Sequence, residues 1–92
     1  MADLIYTVVL LPEPEGEFTV EVPALSGCFS RGLTITEALR NAEEAIHCHV
    51  QALRELGQEI PRESGQVVVD TQELTEALLF KVGIALETAR VA

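Results

Sequence analysis

Tryptophan is absent, and tyrosine and phenylalanine together supply four of the 92 residues, so there is little material for the aromatic platforms on which bases or sugar rings stack. Positive charge is also scarce. Six Lys plus Arg stand against fifteen Asp plus Glu, a formal net charge of −9, whereas affinity for nucleic acid rests on cations that neutralise phosphates. No cation precedes Arg31, but Asp3, Glu13, Glu15, Glu17 and Glu21 do, so the N-terminal third repels a polynucleotide and complements a basic protein. Cysteine occurs twice, at Cys28 and Cys48. That is too few for the framework of a secreted mini-protein, and a reducing compartment keeps both as thiols; no disulfide is expected. No apolar run reaches the ~18–20 residues of a membrane span, and Met1-Ala2-Asp3 lacks the basic start of a signal peptide, so a cytoplasmic location is expected.

What is present is 48 % hydrophobic residues, enough to give a chain of this length one small domain with a core. Residues 4–11, LIYTVVLL, are rich in β-branched and aromatic types, and Pro12-Glu13-Pro14-Glu15-Gly16 follows as a hairpin turn. Glu17 to Val22 alternates strictly, with Phe18, Val20 and Val22 on one face and Glu17, Thr19 and Glu21 on the other. The first strand is apolar on both faces, which demands cover for each. Pro23 to Gly27 breaks the second strand, and Cys28 to Arg31 returns as a short third, closed by Gly32.

The period then changes. Ile35, Leu39, Ala42, Ile46, Val50 and Leu53 recur at helical spacing. Thr34 stands as the N-cap with Glu37 reaching back in a capping box, and Gly57 is a left-handed stop. Beyond the polar connection 58–65, Val67-Val68-Val69 reads as a fourth strand. Leu74, Leu78, Val82, Ala85 and Ala89 share a helical face, so a second helix is predicted from about Gln72 to Ala89, with an extended segment through Leu78 to Val82 as the rival.

The run Thr19-Val20-Glu21-Val22-Pro23-Ala24-Leu25-Ser26-Gly27-Cys28-Phe29-Ser30-Arg31-Gly32-Leu33-Thr34, continued by Glu37-Ala38-Leu39 and Asn41-Ala42, resembles the HicB-type antitoxin family. The shared pattern is a strand ending in Val-Pro, then x-Leu-x-Gly-Cys, a polar strand, Gly-x-Thr and a helix opening on Glu-Ala-Leu. Pro23, Gly27, Cys28 and Gly32 are irregular loop positions that periodicity alone does not dictate, and Ile60-Pro61 fits the family's exit from the helix. The resemblance covers roughly residues 4–65. It implies an α+β fold, a three-stranded antiparallel meander, a helix and a fourth strand on a truncated ribonuclease H-like plan, that binds and silences a small basic HicA-type RNA-cleaving toxin by occluding its RNA surface. Residues 1–70 are then expected to form the HicB-like domain and 71–92 a C-terminal helix or oligomerising segment. Family members often append a DNA-binding module; here 71–92 carries only Lys81 and Arg90 as cations, and no separate one is expected.

Catalysis needs carboxylates converging on one point, and residues 4–11 contain none, which leaves Glu43 and Asp70 as solvated surface residues and the chain as a non-enzyme. His47, Cys48 and His49 near Cys28 are the right types for zinc, but adjacent helical side chains diverge by about 100°. No metal or cofactor is expected. His47 is placed toward solvent, His49 beside the apolar stripe, and the cysteines as small buried hydrophobes. Glu13, Glu15, Glu17 and Glu21 are the candidate partner-binding acids, and Leu78, Phe80 and Val82 the candidate contacts of a homo-oligomer, dimer or tetramer. The alternative function is an orphan HicB-like module, oligomeric and small-molecule-binding or structural, without a toxin.

Overall fold

The computed structural model describes residues 4–63 and 77–85. Strand β1 (Leu4–Pro12) turns into β2 (Phe18–Glu21), then β3 (Phe29–Gly32), helix α1 (Ile35–Glu55) and β4 (Leu78–Ile84). The four strands form one antiparallel sheet in the order β3-β2-β1-β4. The β1–β2 turn closes as the residues dictate. The Glu13 N–H donates to the Glu17 carbonyl at 2.8 Å and the Gly16 N–H to the Glu13 carbonyl at 2.9 Å.

Alternation assigns the faces. Leu4, Tyr6, Val8 and Leu10 of β1, Val20 and Val22 from β2 and the residue after it, and Ile84 of β4 form the buried core under α1, with Leu25 and Cys28 from the β2–β3 loop. The helix answers with Ala38, Ala42, Ile46 and Val50, spaced by four. Two of those are alanines, so the stripe in contact is turned from the one that pattern alone picks: Ile35 stays 39 % exposed, while Ala38 is buried because a small side chain lets the helix sit close to the sheet.

That closeness explains Gly32. A Cβ there would lie 2.4 Å from the Ala38 nitrogen and 2.6 Å from its Cα, backbone atoms that cannot swing aside. The Asn41 amide donates to the Arg31 carbonyl at 2.7 Å, tying α1 to the last strand of the meander. At the helix start the Glu37 N–H donates to Thr34 Oγ1 at 3.0 Å, and the Glu37 carboxylate accepts from the Leu33 N–H at 2.8 Å, one residue earlier than the expected capping box. At the end Gly57 takes φ +70°, with the Gly57 and Gln58 amides donating to the Arg54 and Leu53 carbonyls, the paired bonds of a Schellman stop.

The second helix predicted from Gln72 to Ala89 is overturned across Leu78–Ile84, which is strand β4. Leu78 and Val82 satisfy a helical and a two-residue period alike. Two facts favour the strand: Phe80 and Ile84 complete an alternation with them, and seven residues pair with β1 from Leu4↔Ile84 to Leu10↔Leu78. A ladder of that length outweighs the weak helical preference of Val82-Gly83-Ile84. Strand β4 lies within the 71–92 segment and is the fourth strand of the same sheet. The run Val67-Val68-Val69, and the expected helix over 72–76 and 86–89, lie outside the described residues.

Replacing Gly32 by Ala is expected to lower the unfolding free energy by about 1–3 kcal/mol, the usual cost of overpacking a close contact. Urea titration of the two proteins followed by circular dichroism checks it.

Candidate partner-binding surface

Helix α1 covers one face of the sheet; the other face is composed by the odd-numbered positions. Reading across it by register, Phe29, Glu21, Val9 and Leu79 make one row, Arg31, Thr19 and Leu11 the next, and Thr7–Lys81 and Ile5–Gly83 the rest. Phe29, Ile5 and Leu79 are 61, 55 and 60 % exposed. They stand apart, Phe29 and Leu79 on opposite edge strands of one row and Ile5 two rows away.

The four candidate acids are not gathered into one cluster. Glu13, Glu15 and Glu17 sit in and beside the β1–β2 turn, whereas Glu21 lies at the far end of β2, in the row with Phe29 and Val9. Glu13 accepts from Thr19 Oγ1 at 2.8 Å, and Glu17 faces the Arg31 guanidinium at 3.5 Å, a surface pair with Arg31 80 % exposed. Glu15 is exposed at the turn. Acids thus edge the face at one end and enter its apolar row at the other.

The candidate oligomer contacts are placed differently. Leu78, Phe80 and Val82 point to the helix side of the sheet and are partly buried against the core; the outward side chains in that stretch are Leu79 and Lys81.

A residue with no sequence signal organises the remaining corner. Glu63, on the chain leaving α1, accepts from the Thr7 N–H, from Thr7 Oγ1 at 2.8 Å and from Lys81 Nζ at 2.6 Å, while Lys81 also reaches Thr7 Oγ1 at 2.7 Å. The Tyr6 hydroxyl donates to the Pro61 carbonyl at 2.5 Å from the other face. The post-helix segment is therefore fastened along the part of β1 that β2 does not reach. Burial pushes the Glu63 pKa up, but the hydrogen bonds from Lys81 and Thr7 and the Lys81 charge outweigh it and hold the carboxyl below its ordinary 4.5.

Cys28 and Cys48 are free thiols. They line, with His49, a cavity of about 320 Å³ between the β2–β3 loop and α1. Cys28 is buried, and desolvation, with a smaller contribution from Cys48, raises its pKa. Cys48 corrects the expectation of two buried cysteines: it faces out, because its position is far round the helix from the Ala38-Ala42-Ile46-Val50 line. His47 is corrected too, since its Nδ1 is buried without a hydrogen-bond partner. Among the described residues no group of three or more His, Cys, Asp or Glu converges as a metal site, and no helix is long and apolar enough to cross a membrane.

A four-stranded antiparallel sheet backed by one helix, with exposed Phe29, Ile5 and Leu79 and several acids on or beside its other face, defines a small α+β domain. The profile of the HicB-like antitoxins of bacterial toxin–antitoxin systems matches residues 6–90, and the chain belongs to that family. The UPF0150 protein Ta0767 of Thermoplasma acidophilum is 40 % identical over 63 residues, 68 % of this chain and 91 % of that protein. The UPF0150 protein ssr1765 of Synechocystis is 40 % identical over 58 residues, 63 % of this chain and 73 % of that one. Among solved structures, the N-terminal domain of the Burkholderia pseudomallei antitoxin HicB superposes with a TM-score of 0.71 at 29 % identity, over 88 % of this chain and 98 % of that domain. A HicA3–HicB3 toxin–antitoxin complex contains a chain that superposes at 0.62 with 27 % identity, over 88 % of this chain and 98 % of that one.

Two outcomes are expected. Glu63→Gln removes a charged acceptor and should cost about 1–2 kcal/mol at pH 7. A carboxyl with a depressed folded pKa stabilises above its unfolded value and loses that contribution as pH falls through the folded one, so the gap between wild type and variant should be full above about pH 5 and close below it. Urea melts from pH 7 down to 3 check it. In the native protein Cys48 should react with a thiol reagent at once and Cys28 only on unfolding; mass spectrometry of the labelled peptides distinguishes them.

Proposed function

We propose that this chain neutralises a small basic RNA-cleaving toxin of the HicA type by covering the toxin's RNA-binding surface, in the cytoplasm and without chemistry of its own. One observation carries the reading: the outer sheet face, on which exposed Phe29 and Leu79 stand in one row with Glu21, while Glu13, Glu15 and Glu17 edge the turn end. A protein that grips RNA carries a cationic surface, and an acidic face competes for it. Long-range attraction sets the rate of encounter, and burial of the exposed apolar side chains sets the lifetime of the complex. Membership of the antitoxin family supports the reading, as does the likeness to a chain from a toxin–antitoxin complex.

The test is co-expression with a small basic protein of the HicA type, sought first in the reading frames that adjoin this one. Growth arrest by that product should be relieved and a complex should co-purify. Reversing Glu15, Glu17 and Glu21 to Lys should slow association by about tenfold or more, and the wild-type rate should fall as salt rises because exposed charges are screened beyond ~8–10 Å. Phe29→Ala should leave the association rate nearly unchanged and speed dissociation. Unrelieved arrest with no complex would remove the antitoxin reading.

A further inference from the structure

Where the β2–β3 loop meets α1, the chain brings its two thiols to one cavity. Cys28 closes the loop: its N–H donates to the Leu25 carbonyl at 3.0 Å, and its carbonyl accepts from the Val22 N–H at 3.2 Å. Ala45, Cys48 and His49 stand at i, i+3 and i+4 of α1, one flank of the helix, and line the same cavity of about 320 Å³. Both cysteines are free, and the outer sheet face uses neither.

The two thiols differ in access. Cys48 is exposed, whereas Cys28 is only 4 % exposed. Burial raises the Cys28 pKa, and the charge of Cys48 nearby raises it further, which keeps Cys28 protonated. An oxidant arriving from solution therefore meets Cys48 first. A metal is not what this pair suits, because Cys48 and His49 are neighbours in the helix and diverge by about 100°, and among the described residues no three ligands converge.

We propose that Cys28 and Cys48 are a peroxide-responsive thiol pair, resting reduced and closing to a reversible disulfide across this cavity, so that the β2–β3 loop is fastened to α1. The Cys48 sulfur attacks one oxygen of hydrogen peroxide, the O–O bond breaks, and water leaves a sulfenic acid behind. The Cys28 sulfur then attacks the Cys48 sulfur. The S–S bond forms, the S–O bond breaks, and the departing hydroxide takes the Cys28 proton as a second water. Two thiols thus give up two electrons, and one peroxide becomes two waters. With both sulfurs bordering one cavity, the second step outruns attack by a thiol of another chain. The inference does not rest on the toxin-neutralising reading.

The test treats the reduced full chain, at low micromolar concentration and neutral pH, with a few equivalents of hydrogen peroxide, then blocks remaining thiols with iodoacetamide. Intact mass should show a monomer lighter by two hydrogens and carrying no alkyl group. Trypsin, which cuts after Arg31, Arg40 and Arg54, should release residues 1–31 joined to residues 41–54. Dithiothreitol should restore both thiols. Cys28→Ser should stop the reaction at a Cys48 sulfenic acid that dimedone captures; Cys28→Ala, which puts no hydroxyl in the core, gives the same readout should the serine variant fail to fold. In Cys48→Ser, Cys28 should oxidise about tenfold more slowly or less readily still. A wild-type chain that keeps its Cys28 thiol under peroxide, a cross-linked dimer in place of the internal bond, an internal bond that forms only in urea, or Cys28 oxidised as fast without Cys48 would each overturn the proposal.

Discussion

One helix can cover one face of a sheet, and the middle strand of this sheet is apolar on both. Strand β1 lies between β2 and β4 with Tyr6, Val8, Val9 and Leu10 all fully buried. Its inner row is a conventional core against α1. In its outer row Val9 is fully buried, Thr7 is tied to Glu63 and Lys81, and Ile5 is left exposed. Where the outer face carries exposed apolar side chains, burial at roughly 25 cal/mol per Å² rewards any surface that covers them.

The short-range devices serve the close seat of α1 on the meander. Ala38 and Ala42 remove bulk from the helix, Gly32 removes it from the strand end, and Asn41 hydrogen-bonds the carbonyl beside that glycine. These residues belong to the same motif that marks the family, and the structure supplies the physical reason they occur together. Each alone has little purpose; a Cβ at Gly32 or a larger residue at Ala38 would lift the helix and open the core that Ile46 and Val50 close.

Charge is arranged to match. Glu13, Glu15 and Glu17 lie in and beside the turn and Glu21 on the outer sheet face, while Lys81 pairs with Glu63 and Arg31 with Glu17. A net charge of −9 keeps the field around the face negative even so. Around exposed apolar side chains such a field attracts cationic surfaces and repels anionic ones before contact. Beside β4 the groove against α1 carries both signs, with Arg40 and Glu43 one helical turn apart.

Local pattern determined much of this. Strands β1 to β3, the helix with its Thr34 cap and Gly57 stop, and the meander order are legible because alternation, a 3.6-residue period and turn residues are properties of neighbours along the chain. The acids of the candidate face were visible as well, as a run of glutamates ahead of the first cation. What tertiary structure decided is whatever depends on partners distant in sequence. Leu78–Ile84 reads as helix or strand in isolation and becomes a strand because β1 offers seven residues of ladder. Glu63 looks like one polar residue in a connection until Thr7 and Lys81, 56 and 18 residues away, converge on its carboxylate. The exposure of Cys48 and the burial of the His47 Nδ1 were set by the rotation of α1, which follows the two alanines and not the larger apolar side chains. Periodicity can name a face of a helix, but the depth and angle at which that face is seated depend on how closely two backbones can approach, and that is settled only when the sheet is in place.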